Sequence, residues 1–183
     1  MIIKRNTHAP FRLPRILIKP EALRYEVEFT ESCRYRFGTD DDADVNKLFG
    51  IAFITWDSFW FVIKNLLKGK VVELHHYNSI RWGWRYDALS GRIEILEYCY
   101  VNGERRINYF FSCGFNEAWR MCILKRFEFM GFIHFDFFSR RGIKTYLNDK
   151  FSFPNTWLCY ELHPYFGGNR TAPHDMDIKM KRI

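Results

Sequence analysis

The chain contains no glutamine, and its five cysteines, Cys33, Cys99, Cys113, Cys122 and Cys159, include no pair at the CxxC spacing of a zinc or redox motif. An odd, scattered set reads as reduced cysteines of a cytoplasm, most of them small core residues. No GxSxG elbow is present, so Ser-His-Asp catalysis finds no support. The N-terminal MIIKRNTHAPFRLPRILIKP lacks an apolar h-region and a small-residue cleavage site. A signal peptide is therefore not expected, and the expected location is cytoplasmic, or secreted only if a signal has been removed. No repeat, low-complexity segment or linker divides the 183 residues, so one domain spanning 1–183 is expected.

Long apolar runs are also scarce. Leu48 to Leu67 (LFGIAFITWDSFWFVIKNLL) has the length of a spanning helix, but Asp57 lies near its centre, where a charge costs about 2.5–3.5 kcal/mol. No membrane span is expected. The run reads as a buried strand, a turn near Thr55 to Ser58, and a second strand or short helix.

What the chain has in abundance is aromatic residues, 19 Phe, 10 Tyr and 6 Trp, and positive charge, a formal +7. Aromatics suit strands and ligand platforms alike. The charge permits an acidic partner such as nucleic acid, anionic lipid or a uronic-acid polysaccharide. Basic residues are spread along the chain apart from Arg140-Arg141 and the tail Lys179 to Arg182, which argues against a nucleic-acid face.

Period-2 alternation dominates. Leu23, Tyr25, Val27 and Phe29 alternate with Arg24, Glu26 and Glu28, and Met176, Ile178 and Met180 with Asp175, Asp177, Lys179 and Lys181. Three prolines before residue 21 leave an edge strand at most around Arg15 to Lys19. Trp119 to Phe127 and Met130 to Phe138 form two strand-like runs, and Pro154 demotes Lys150 to Leu162 to a bent or edge strand. YFGGNRTAPHD reads as a rigid loop. No long segment has a convincing helical period, so eight to eleven short strands point to an antiparallel sandwich or barrel.

Thr39 to Asp44 resembles a calcium loop, but counting from Asp40 the sixth and twelfth positions hold Val45 and Ile51 rather than Gly and Glu. A solvated acidic loop fits better. His163, His174, Asp175 and Asp177 cluster without the spacing of a known metal site, and neither a metal nor a cofactor is expected. His134 and Asp136 share a face as a weaker base-and-orienter pair.

The candidate site lies in His75 to Tyr109. Asn102-Gly103 predicts a type I′ turn that sets Val101 opposite Glu104, Cys99 opposite Arg106 and Glu97 opposite Asn108. A turn at Asp87 to Gly91 predicts Tyr86 opposite Arg92, Trp84 opposite Glu94, Trp82 opposite Leu96 and Arg81 opposite Glu97. Ile80, Trp82, Trp84, Leu96, Tyr98, Ile107 and Tyr109 then face the core, and Arg81, Arg85, Glu97, Arg106 and Asn108 share the other face, with His75 in parity if the strand runs on unbroken. A carboxylate flanked by guanidinium groups can orient a sugar by bidentate hydrogen bonds. A cross-strand ion-pair ladder is the plainer alternative.

Asn46-Lys47-Leu48-Phe49-Gly50-Ile51, HHYNSIRWGWR, YCYVNGER and PYFGGNRTAPHD resemble a family of uncharacterised all-β proteins from gut Bacteroidetes and their phages, over most of residues 45 to 183; the resemblance brings no activity. More loosely, the strand pattern is similar to concanavalin A-like jelly rolls, which include lectins, glucanases and alginate-type polysaccharide lyases. The Gln-x-His motif of those lyases and the ExDxxE set of laminarinase-like glucanases are both absent. The expectation is a jelly-roll β-sandwich that binds a carbohydrate or other anionic ligand through Arg81, Arg85, Glu97, Arg106, Asn108 and His75 without catalysis. The alternatives are a polysaccharide lyase or glycosidase using His75 or His134 with a tyrosine, and a structural or assembly protein of phage origin.

Overall fold

A computed structural model describes residues 1–10, 15–18, 20–129, 132–141, 144–154, 156 and 158–183, with the side chains of all these except 126–129, 132–136, 144–152 and 154. His134 and Asp136 lie outside the described side chains. One sheet runs in the order β1 (Ile2–Ile3), β12 (Met176–Arg182), β3 (Ala22–Phe29), β8 (Trp119–Phe129), β9 (Phe132–Arg141), β10 (Lys144–Pro154). The other runs β2 (Arg15–Ile18), β11 (Leu158–Leu162), β4 (Asn46–Phe53), β5 (Ser79–Asp87), β6 (Arg92–Val101), β7 (Glu104–Cys113). Every neighbouring pair is antiparallel. The two sheets pack face to face, as expected for an all-β sandwich.

The core is aromatic. Phe29 of β3 meets Trp84 of β5 at 5.2 Å between ring centroids, Trp82 meets Phe137 of β9 at 4.6 Å, and Phe53 stacks on Phe153 of β10 at 4.4 Å. Burying each such ring contributes roughly 1.5–3 kcal/mol. Leu23, Val27, Phe29, Met176 and Ile178 are all buried, as their alternation requires, and all five cysteines are buried free thiols. Pro154 ends β10 at the rim of one sheet, and the chain resumes as β11 inside the other, so Lys150 to Leu162 belongs to two strands rather than one bent one.

After β4 the chain turns at Thr55 into the one α-helix among the described residues, α1 (Trp56–Leu66). Thr55 and Ser58 form a reciprocal capping box, with the Ser58 amide donating to Thr55 Oγ1 at 3.2 Å and the Thr55 amide to Ser58 Oγ at 3.1 Å. That cap breaks the apolar run into strand and helix. Among the described residues no helix is long and apolar enough to cross a membrane.

The β6–β7 hairpin forms in the expected register, with Asn102 at φ 53 and Gly103 at φ 85 in its turn. The β5–β6 hairpin is one residue out. Trp82 pairs with Glu97, Trp84 with Ile95 and Arg81 with Tyr98. Asp87 is the cause: its carboxylate accepts from the amides of Leu89 at 3.0 Å and Ser90 at 3.2 Å, which keeps it paired with Arg92 and shortens the loop to residues 88–91. A one-residue slip turns a strand over. Glu97, Asn108 and Arg106 therefore share the side of Trp82 and Trp84, while Leu96, Tyr98, Ile107 and Tyr109 join Arg81 on the outer face.

Candidate functional site

The outer face of the β2–β7 sheet carries a cavity of about 480 Å³. Its floor is built by outward positions of four adjacent strands: Tyr160 on β11, Lys47 on β4, Arg81 on β5, Tyr98 and Tyr100 on β6, with Arg105 following on β7. Val45, Leu96 and Tyr98 form a small buried cluster beneath one wall. The opposite wall is the loop 163–169, strapped to β4 by reciprocal amide bonds between Lys47 and Tyr165, 2.8 and 2.9 Å, and by the Gly167 amide on Asn46 Oδ1 at 2.6 Å. Buried Asn46 is tied in turn to the Tyr35 hydroxyl. His8 stacks on the back of Tyr165 at 4.8 Å. The loop is thus fastened to β4 and to the N-terminal segment.

Arg81 is 4% exposed, and its side chain makes one hydrogen bond, Nη2 to the His163 carbonyl at 2.8 Å; Nε is buried without a partner. A buried guanidinium is costly unless paired, and burial lowers its pKa to about 10. Lys47 lies 5.2 Å from the Tyr98 ring centroid and 5.7 Å from that of Tyr165, with Nζ on the Gly167 carbonyl at 2.9 Å. Burial, reinforced by the Arg81 charge, lowers its pKa to about 8. None of Lys47, Arg81 and Arg105 forms an ion pair with a described carboxylate. Three cations converge on the cavity, and the carboxylate of Glu73, which also lines it, is paired with His75 rather than with any of them.

A 3₁₀ turn, Leu74–His76, forms the remaining rim. His75 Nδ1 stands 3.0 Å from Glu73 Oε2, a bond that holds the Glu73 carboxyl below its usual range. His76 packs between His75 at 4.3 Å and Tyr100 at 5.2 Å, and burial, with the His75 charge second, depresses its pKa to about 4. Burial raises the Tyr160 hydroxyl to about 12 and pushes those of Tyr100 and Tyr165 up as well. The tyrosines are therefore neutral donors at neutral pH.

The six expected ligand-binding residues are divided between two faces. Arg81 and His75 line the cavity. Arg85 shares their face but is occupied across the strands by Glu94, Nε to Oε2 at 2.5 Å. Glu97 is fully buried on the core side, where Asn108 Nδ2 donates to it at 3.3 Å, and Arg106 sits 3.6 Å from Glu104. The ion-pair ladder thus accounts for Arg85 and not for Arg81. Lys47, Arg105, His76 and the four tyrosines are the residues that register reasoning left out of the site. The Tyr98-x-Tyr100 spacing was their visible signal.

The remaining polar motifs are engaged by partners away from the cavity. Asp42 accepts from the amides of Phe37 and Gly38, and Asp41 pairs with Arg170 at 2.8 Å. His174 contacts the Ser32 carbonyl, Asp175 pairs with Lys4, and Asp177 with the N-terminal amine. Among the described residues no three His, Cys, Asp or Glu side chains converge as metal ligands. No family model, curated protein or solved structure matches the chain.

Proposed function

We propose that the chain is a jelly-roll sandwich of the concanavalin A-like type whose outer-face cavity binds an acidic carbohydrate, a uronic-acid oligosaccharide, without catalysis. Strand order supports the jelly roll: β1 pairs β12, β2 pairs β11, β3 lies between β12 and β8, and β4 between β11 and β5, the nested pairing that a rolled-up hairpin produces. The observation that carries the ligand class is Arg81, a guanidinium with no carboxylate partner that lines the cavity together with Lys47 and Arg105. A carboxylate entering there gains charge-assisted hydrogen bonds, and tyrosine faces and hydroxyls suit a sugar ring beside it. A glycan array of neutral and uronic-acid oligosaccharides tests this: retention of the acidic ones, lost in Arg81→Met, is expected, and indifference to acid or to the substitution refutes it.

One observation favours a catalytic variant of the same site. His76 and Tyr100 line the cavity together, 5.2 Å between ring centroids, beside cations that would neutralise a sugar carboxylate, the pairing of groups a polysaccharide lyase requires. Ultraviolet absorbance of an unsaturated product on a polyuronate panel separates lyase from binder.

A further inference from the structure

Among the described residues one large apolar surface is uncovered, and it lies outside the cavity. On α1, Trp56, Phe59, Trp60, Ile63, Leu66 and Leu67 are 82, 44, 57, 44, 63 and 83% exposed. At about 100° per residue they occupy a single arc of roughly 120°. The opposite side of the helix attaches it to the sandwich: Ser58 is buried, and the Phe61 ring lies 5.1 Å from that of Tyr77 and against Gly103. The apolar stripe therefore points away from the fold. Its three aromatic rings alone expose roughly 350 Å², already comparable with the largest patch on a typical monomer. Val71, beyond the helix, is 90% exposed.

Charge indicates the occupant. Lys64, Lys68 and Lys70 against Asp57 leave residues 56–71 at net +2 within a chain of +7, so two copies of this face would oppose like charge. An anionic surface is complementary to it. Eleven residues make a helix of about 16 Å, too short to span a bilayer but suited to lying in its interface, and tryptophan prefers that depth. We infer that α1 is an interfacial anchor, with its apolar stripe in the surface of an anionic lipid membrane and Lys64, Lys68 and Lys70 among the headgroups.

The test is co-sedimentation of the full chain with vesicles of phosphatidylcholine alone and of phosphatidylcholine with phosphatidylserine, at low salt. Binding to the mixed vesicles and not to the neutral ones is expected. Replacing all three lysines with alanine weakens it roughly hundredfold, at about fivefold per lysine, and Trp60→Glu with Ile63→Glu abolishes it. Both variants alter exposed side chains, so unchanged circular dichroism checks their fold. Equal binding to both vesicles, binding to neither, or indifference to the lysines overturns the inference. So does a dimer seen by light scattering that the glutamate variant dissolves while vesicles bind nothing, which assigns the face to a second copy.

Discussion

Gly50 and Arg81 face each other across β4 and β5 so closely that a Cβ on Gly50 would collide with the Arg81 Cβ and the Ile80 carbonyl. A bulge between Lys47 and Gly50 brings the strands to this approach, and the missing side chain is what lets the arginine stem cross β4 toward the cavity floor. Gly50→Ala is expected to cost about 1–3 kcal/mol as overpacking and to weaken anion binding together with stability, measured as a fall in melting temperature and in affinity for a uronic-acid oligosaccharide. Unchanged affinity would separate Gly50 from the site.

Arg81 and Glu97 lie on opposite faces and should respond oppositely. Arg81→Met removes a buried charge lacking a carboxylate partner, so stability is expected to hold or rise while binding falls by roughly tenfold or more, the worth of a charge-assisted hydrogen bond. Glu97→Gln alters a fully buried carboxylate on the core side and is expected to lower the melting temperature while leaving affinity within about twofold. Calorimetry of both variants reads both effects.

His76 sets an acid limit on stability. Its folded pKa, about 4, lies below the ordinary 6.5 because burial disfavours the imidazolium. Between those values the unfolded chain binds a proton that the folded chain refuses, so stability falls as pH drops from 6.5 towards 4. Urea unfolding across that window should show a shallower decline in His76→Asn. An identical decline would place the acid sensitivity elsewhere.

Lys47 acts at the other end of the pH scale. With its pKa at about 8, the amine loses its charge as pH rises through that value, and affinity for an anion is expected to weaken from pH 7 to 9. Lys47→Met should bind more weakly at pH 7 and lose this dependence.

Much of the fold was legible in the sequence because alternation is a local signal. Leu23 to Phe29 and Met176 to Met180 declare their buried faces, and Asn102-Gly103 fixed one hairpin. The other hairpin depended on whether Asp87 belongs to the turn or to the strand, a choice made by two hydrogen bonds from Leu89 and Ser90. That single residue moved Glu97, Arg106 and Asn108 to the core side and brought Tyr98 and Tyr100 beside Arg81. Asp87→Ala is expected to cost about 1 kcal/mol, read as a lower urea midpoint. The cavity itself was not legible, because Lys47, His76, Tyr160 and the 163–169 loop converge only through tertiary pairing. The choice between a second strand and a short helix after Thr55 stayed open because the apolar stripe of the helix faces outward and its strand-like neighbours hide the period.

The most direct measurement is an amide chemical-shift titration of the 15N-labelled protein with a uronic-acid oligosaccharide. Shifts concentrated at Lys47, Arg81, Tyr98, Tyr100 and Tyr165, absent in Arg81→Met, are predicted. Shifts centred on Arg106 and Asn108, or none at all, would contradict the assignment of the site.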